Sequence, residues 1–419
     1  MSTLAAALRT GEAVRRDDIV DLAGLMVQTP SPPGKERLLA QRLVDEGQRI
    51  APGLQWRIDP FDGDRANLLV TAGPADYQAV EIVLFAHLDT SLADVGEYRR
   101  LTGCEPDAQA ESGFGLTTQD NKLIGPGMAV AKGPAAGALA ALLAGDRAGT
   151  LACGTGVLLT SGGTHRAVAG SGGFAAGLRH AIESGLSPRG AINVKAGAPC
   201  VLHEEPGSAY LRISVRSSGG PLMLQQSEGC AGAAAALARL LPLIESWRNT
   251  LLDRGPSALC GRDVGLGALS AGLPDKPDML PSMSWADLYL VTAPGDDASE
   301  LADELAMLLA TDVNSETSVS VTASMPAGRT PMAHPVVSLA TQAWNRHLGP
   351  AAPVTNWRGS TDGALLRHMG IPVTRLGPRP RSAPAGLEAL DLAELTTFAR
   401  IDAELLVQLG HWTEQGGRS

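Results

Sequence analysis

The chain has 419 residues and a formal net charge of −10 at pH 7, with 44% hydrophobic and 19% charged residues. This composition is typical of a globular protein, and the length suits two domains better than one core. The acidic balance argues against nucleic-acid partners, because binding a phosphate backbone needs clustered Lys and Arg. The N-terminus shows no apolar signal segment, and no run reaches the roughly 18 apolar residues of a membrane helix. We therefore expect a cytoplasmic protein with no membrane partner.

The first half of the chain alternates helical and strand patterns. An opening helix ends at the prolines of Thr29–Glu36 (TPSPPGKE), since proline disrupts a helix interior. A second predicted helix runs to Ile50, with one apolar face formed by Leu38, Leu39, Leu43 and Val44. The following predicted elements are a strand near Asn67–Thr71, a strand ending at His87, a helix from Gly133, a strand at Val157–Thr160 and a helix at Phe174–Ser184. This alternation predicts a mostly parallel sheet flanked by helices, an α/β fold.

From Ser208 the order changes to β-α-β-β-α-β, which is typical of a ferredoxin-like α+β unit. Its predicted elements are Tyr210–Arg216, Cys230–Trp247, Val264–Ser270, Ser284–Val291, Asp296–Leu309 and Ser318–Thr322. The chain then returns with predicted elements at Val336–His347, Pro372–Leu376 and Leu392–Leu409. We therefore predict a discontinuous α/β domain (1–206 and 326–419) and an inserted lid domain (207–325).

One short motif carries the first candidate chemistry. The apolar run before Phe85–Thr90 (FAHLDT) places His87 and Asp89 at the carboxyl end of a strand. An H-x-D motif is weak by itself. The pair could be a catalytic dyad, the remnant of a metal site, or two side chains that satisfy each other by a hydrogen bond. His165 follows the strand Val157–Thr160 and is either a further acid–base group or a solvated histidine.

Six segments in order resemble the dinuclear zinc hydrolase family of acetylornithine deacetylase, succinyl-diaminopimelate desuccinylase, aminoacylase and carboxypeptidase G. They are TPSPPG, HLD, GPGMAVAKG, the inserted unit, STDG and a late LGP turn. The resemblance implies a zinc-exopeptidase-like α/β fold with a ferredoxin-like lid. It also implies hydrolysis of N-acyl amino acids or small peptides by two zinc ions, and a homodimer formed through the lid.

The same resemblance predicts that the zinc site is lost. His87 matches the first zinc ligand and Asp89 the carboxylate that orients it. The other family positions hold residues that cannot bind zinc: Val130 for the bridging Asp, Gly163 and Thr164 for a Glu pair, Lys195–Pro199 for a further carboxylate and Pro384 for the last His. Catalytic zinc sites use three protein ligands and structural sites four. We therefore expect no metal and no other cofactor.

The leading functional hypothesis is a metal-independent enzyme acting on a small amide-, amino-acid-like or N-acyl substrate. His87, Asp89 and His165 are its candidate acid–base residues, and hydrolysis, acyl transfer and cyclisation all remain open. The candidate substrate contacts are Lys132, Arg358, Ser360 and Asp362. Two alternatives remain. One is a catalytically silent binding or assembly subunit. The other is a conventional metal amidohydrolase with ligands relocated to residues such as His165, His203 and Glu204.

Overall fold

The computed structural model describes residues 2–90, 115–165, 174–224, 232–310, 315–383 and 387–416. Its contacts divide the chain into two compact units. Unit 1 comprises Met1–His203, Thr330–Pro353 and Met369–Ser419, and unit 2 comprises Glu204–Arg329 and Val354–His368. The sequence places 354–368 in the α/β domain, whereas the contacts group it with unit 2. The reason is local, because the backbone of Trp357 hydrogen-bonds Leu259 and Gly261.

The elements are numbered in chain order. The strands are β1 (Gln55–Phe61), β2 (Arg65–Ala72), β3 (Ile82–His87), β4 (Thr117–Gln119), β5 (Lys122–Gly125), β6 (Thr155–Thr160), β7 (Gly190–Val194), β8 (Glu204–Glu205), β9 (Gly207–Arg216), β10 (Gly220–Pro221), β11 (Asp263–Ala271), β12 (Met279–Leu280), β13 (Met283–Thr292), β14 (Glu316–Met325), β15 (Gly328–Arg329), β16 (Val373–Leu376), β17 (Pro380–Arg381) and β18 (Glu388–Asp391). The helices are α1 (Thr3–Glu12), α2 (Arg16–Val27), α3 (Arg37–Ile50), α4 (Gly133–Ala148), α5 (Ala176–Glu183), α6 (Gly232–Asp253), α7 (Ala298–Leu309), α8 (Pro335–Leu348), α9 (Gly363–His368) and α10 (Leu392–Glu414).

Unit 1 is built on a six-stranded sheet of order β1-β2-β6-β3-β7-β16. The pairings β6–β3, β3–β7 and β7–β16 are parallel, whereas β1–β2 and β2–β6 are antiparallel. Every residue of the central strands β3 and β6 is buried, as expected for strands covered on both faces. The predicted α/β fold class is confirmed. The sequence did not reveal β1, whose residues are exposed or half-buried at the sheet edge and lack a continuous apolar run.

Helix α4 forms part of the core that covers this sheet. It is rich in Ala and Gly, and its first thirteen residues are buried. The small residues allow close helix packing, since a Cβ added at Gly137 would lie 3.3 Å from Leu395 of α10. Within the described residues, one helical span, Met128–Ala148, is apolar and long enough to cross a membrane, and 94% of its most apolar window is buried inside the protein. That burial is the behaviour of a core helix.

Helix α3 shows where the predicted apolar face is wrong in part. Leu39 and Leu43 are fully buried, whereas Leu38 is 56% exposed. Consecutive helical residues point about 100° apart, so Leu38 cannot share the direction of Leu39.

Unit 2 contains the β-α-β-β-α-β arrangement predicted from the sequence. Its sheet has the antiparallel order β11-β13-β9-β14. Alternate residues of β9 are buried, including Leu211, Ile213 and Val215. They form one apolar cluster with residues of α6 and α7, including Leu240 and Leu305. A sheet with both helices packed on it through one core accounts for this unit.

Two helical glycines allow a matched test of the packing in unit 1. A Cβ at Gly47 of α3 would lie 2.3 Å from the ring of Trp56, whereas at Gly24 of α2 the nearest atom would be 3.9 Å away. We expect Gly47→Ala to lower the free energy of unfolding by about 1–3 kcal/mol through overpacking. Gly24→Ala should leave it unchanged or raise it by about 0.5–1 kcal/mol. Urea unfolding of both variants checks this, and equal effects would contradict the packing described.

Candidate active site

His87 is the last residue of β3 and is 3% exposed. Its Nδ1 lies 3.0 Å from the backbone oxygen of Asp89 and 3.3 Å from the Asp89 Oδ1. Its Nε2 is buried, and no residue in the described part of the chain hydrogen-bonds to it. The imidazole is therefore held at one nitrogen and unengaged at the other.

Asp89 is fully buried and fixed by two backbone amides. Its Oδ1 accepts a hydrogen bond from the N–H of Gly163, and its Oδ2 accepts one from the N–H of Thr164, both at 2.8 Å. Burial alone would raise the pKa of Asp89, but the nearby His87 and the hydrogen bonds from Thr164 outweigh it and hold the pKa below its usual range. An ionised carboxylate at this place favours the His87 tautomer that carries its proton on Nδ1, which leaves Nε2 as an acceptor.

The turn after β6 is held by buried side chains at four consecutive amides. The N–H of Ser161 donates to Asn67 Oδ1 at 3.0 Å, and the N–H of Gly162 donates to Glu36 Oε1 at 3.1 Å. The N–H groups of the next two residues, Gly163 and Thr164, donate to Asp89. Asn67 lies on β2 and Glu36 directly before α3, so three separate segments fix one turn. Leaving a buried N–H group without a hydrogen-bond partner costs free energy. Any movement of the turn that breaks these bonds is therefore unfavourable, and the turn is rigid.

Two buried carboxyl groups at this turn have opposite pKa shifts. Burial, and then the negative charge of Asp89, raise the pKa of Glu36. Because hydrogen bonds and His87 lower the pKa of Asp89, proximity keeps one carboxyl charged and favours a proton on the other. This is a common arrangement in active sites, although structural networks also show it.

His165 lies beyond the same turn and close enough to His87 for their charges to interact. Its ring is 4.3 Å from that of Phe174, measured between centroids. Burial, followed by the charges of Lys195 and His87, lowers the pKa of His165 to about 3. It is therefore neutral at pH 7 and a weak proton acceptor, since general bases work best with a pKa near the operating pH. Its predicted acid–base role stays a prediction.

Lys132, at the start of α4, is 1% exposed. Its Nζ donates to the backbone oxygens of Met26 at 2.7 Å and Thr29 at 3.2 Å. Burial lowers the pKa of Lys132 to about 8, and the charge of Glu388 partly opposes that shift. These contacts explain Lys132 as an anchor between α2 and the proline-rich segment. Its predicted contact with substrate stays a prediction.

Glu388 belongs to the site but was not among the residues predicted from the sequence. Its Oε2 accepts hydrogen bonds from the backbone N–H groups of Ala129 and Val130, both at 2.8 Å. Burial raises its pKa, and the charges of His87 and Lys132 oppose that rise. The available signal in the sequence was an acid four residues after Pro384, the position aligned with the family's last zinc-binding His.

The remaining predicted residues, Arg358, Ser360 and Asp362, belong to unit 2. Arg358 forms an ion pair of 2.6 Å with Asp263, and the Ser360 hydroxyl lies 3.3 Å from that of Ser208. Asp362 is 4% exposed and precedes α9. Their role as substrate contacts stays a prediction.

The same turn of unit 2 surrounds a buried ion pair. Glu205 pairs with Arg367, and neither side chain is exposed. Thr361 donates to Glu205 Oε1 at 2.5 Å. Breaking such a pair leaves an uncompensated buried charge, so this contact fixes the turn strongly.

The side chains described around His87 do not provide the ligand set of a zinc pair. Among the residues that the structure describes, no three His, Cys, Asp or Glu side chains are grouped so that they could hold a metal ion. Both oxygens of Asp89 already accept amide hydrogen bonds. A Cβ added at Gly163 would lie 2.4 Å from the Cβ of His87, so the backbone there occupies the space that a side chain would need. Pro384 lies outside the described residues.

The fold and the sequence together define the family. The model of peptidase family M20/M25/M40 matches residues 102–408, which is more than half of the chain. The chain therefore belongs to this family of peptidases and amidohydrolases, as the resemblance at the sequence level implied. No curated protein matches the chain significantly by sequence.

Solved structures of the family share the fold. Human carnosine dipeptidase 1 is 13% identical with a TM-score of 0.69, over 98% of this chain and 99% of that one. An M20 family metallo-carboxypeptidase from Sulfolobus solfataricus is 14% identical with a TM-score of 0.67, over 94% and 99%. A tripeptidase from Staphylococcus aureus is 15% identical with a TM-score of 0.66, over 95% and 99%. At these identities the likeness concerns the fold alone.

The anchoring of Asp89 predicts a pH-dependent stability difference. Because the folded-state pKa of Asp89 is depressed, its contribution is present above the unfolded pKa of about 3.9 and is lost as the pH falls through the folded value. We expect Asp89→Asn to lower the free energy of unfolding by about 2–4 kcal/mol at pH 7. The loss should shrink below about pH 4. Urea unfolding across pH checks this, with the exposed Asp21→Asn as the control. A difference that does not change with pH would contradict the ionised state of Asp89.

Proposed function

We propose that this family member is a metal-independent enzyme that acts on the amide group of a small amino-acid-like or N-acyl substrate, with His87 as its general base. One observation carries the proposal. The buried Nε2 of His87 has no hydrogen-bond partner in the described part of the chain, while Nδ1 faces an ionised Asp89. A base needs one nitrogen oriented by a partner and the other able to take a proton.

The chemistry follows from that orientation. In hydrolysis, a water oxygen attacks the amide carbon while its proton passes to Nε2 of His87. The same proton then passes to the leaving nitrogen as the C–N bond breaks. Asp89 stabilises the imidazolium that forms between these steps. The same transfers serve acyl transfer or cyclisation when an amine or hydroxyl group replaces the water. A positioned base of this kind contributes roughly 10²- to 10⁴-fold in rate.

Metal independence is supported by the residues at the family's ligand positions. Val130 packs against the apolar core, and the backbone of Gly163 lies against His87. We expect elemental analysis of the purified protein to find well below one zinc per chain, and chelation with EDTA to leave the melting temperature unchanged. Stoichiometric zinc that survives dialysis would overturn this part of the proposal, and would favour an amidohydrolase with relocated ligands.

An activity assay tests the catalytic part of the proposal. A panel of N-acetyl amino acids and dipeptides, assayed with and without EDTA, should contain a compound that turns over equally in both conditions. His87→Gln should reduce that rate roughly 10²- to 10⁴-fold, because the proton acceptor is removed. His411→Gln is a matched control, since the side chain of His411, on the last turn of α10, is 44% exposed. Loss of turnover on chelation, or an unchanged rate in His87→Gln, would refute the proposed mechanism.

A second candidate is a catalytically silent binding subunit, and the burial of the dyad favours it. His87 is 3% exposed and Asp89 fully buried, so the pair also serves to hold the turn after β6. This reading predicts that compounds of the same panel bind in calorimetry without turnover. It also predicts that His87→Gln lowers stability but leaves binding intact.

We also propose that unit 2 forms the contact of a homodimer. Strand β11 is an edge strand of the unit 2 sheet. Seven of its nine residues are exposed, among them Leu266 at 45% and Leu269 at 52%. An edge strand with exposed apolar side chains is a ready surface for pairing with a second chain.

A further inference from the structure

Unit 1 contains a pocket of about 250 Å³ whose lining includes neither His87 nor Asp89. It lies where four segments meet: the residues after β7, the end of α8, the residues after β16 and the first turns of α10. Trp344 and Phe398 contribute an aromatic surface, and Pro199 and Leu348 extend it. The two rings pack edge to face with centroids 5.5 Å apart. The pocket therefore has a preformed apolar wall.

Trp344 supplies a polar group to this wall. The residue is 6% exposed, and its indole N–H has no hydrogen-bond partner within the ranges that the structure describes. Trp344 lines the pocket, and its indole N–H is the polar group that this side chain can offer to a ligand.

The charged residues of the pocket carry a positive excess. Glu394 is satisfied, because its Oε2 pairs with Arg381 at 2.5 Å and its Oε1 accepts from the backbone N–H of Arg379 at 3.1 Å. Arg379 is exposed, and its guanidinium group forms no ion pair with a described carboxylate. The pocket therefore has two arginines and one glutamate, and the positive charge of Arg379 is not balanced by a carboxylate of the described residues.

We propose that this pocket is a binding site for a small monoanionic carboxylate with an apolar body. The apolar body packs on Phe398 and Leu348, and the carboxylate pairs with Arg379. Arginine presents a planar pair of N–H donors that matches a carboxylate, and this geometry favours it over a simple point charge. The indole N–H of Trp344 gives a second donor. The volume is below the roughly 300–1,000 Å³ of pockets for drug-sized ligands, so a single ring or a short acyl chain fits.

The site is independent of the proposed function, since it uses none of the acid–base residues. It is tested with phenylacetate and with phenylacetamide, which has nearly the same shape but no charge. The protein is labelled with ¹⁵N at its six tryptophan indoles, and Trp344→Phe identifies the Trp344 signal. We expect phenylacetate to shift that signal saturably, and phenylacetamide to bind more weakly by about tenfold or more.

Two arginine variants distinguish binding in the pocket from nonspecific binding elsewhere on the protein surface. Arg379→Gln should weaken phenylacetate binding by about tenfold or more. Arg400→Gln is the matched control, because Arg400 is exposed on α10 and does not line the pocket. The proposal is overturned by any of three results: no saturable shift up to about 20 mM, equal affinity for the two probes, or unchanged affinity in Arg379→Gln. The exposed position of Arg379 keeps this variant readable even if Trp344→Phe fails to fold.

Discussion

The site depends on the hydrogen bonds that buried side chains accept from the backbone of the turn after β6. The four backbone N–H groups from Ser161 to Thr164 donate hydrogen bonds to the side chains of Asn67, Glu36 and Asp89. Since Asp89 also faces His87, the position of the imidazole is set by the same turn. Each of these acceptors comes from a different part of unit 1. The site is therefore only as well ordered as the packing of β2, β3 and α3 around it.

Most of the fold could be predicted from the sequence because apolar runs and regular alternation of apolar and polar residues mark most of the helices and strands. Strand β3 is apolar from Ile82 to Ala86, and β6 contains the apolar stretch 157–159. The inserted β-α-β-β-α-β unit shows alternation of buried and less buried residues along β9 and β13. Strand β1 was missed because an edge strand needs no apolar run, and its pairing with β2 is set by tertiary contacts. The predicted apolar face of α3 fails at Leu38 because this residue points about 100° away from the buried Leu39.

The site was harder to predict than the fold. His87 and Asp89 could be placed because a strand end fixes their position, and the structure brings them within 3.3 Å of each other. Glu388 was missed because its contacts, the amides of Ala129 and Val130, lie some 259 positions away in the chain. The sequence also could not identify the backbone oxygens of Met26 and Thr29 as the contacts of Lys132. Such roles depend on burial and on which backbone groups lack partners.

The close approach of the Gly163 backbone to His87 limits which side chains position 163 can hold. An acidic residue at this position would place even its first side-chain carbon 2.4 Å from the Cβ of His87. Such a residue would require a shift of β3 or of the turn after β6. An acidic side chain at position 163 is therefore compatible with this fold only together with a second change in the surrounding backbone.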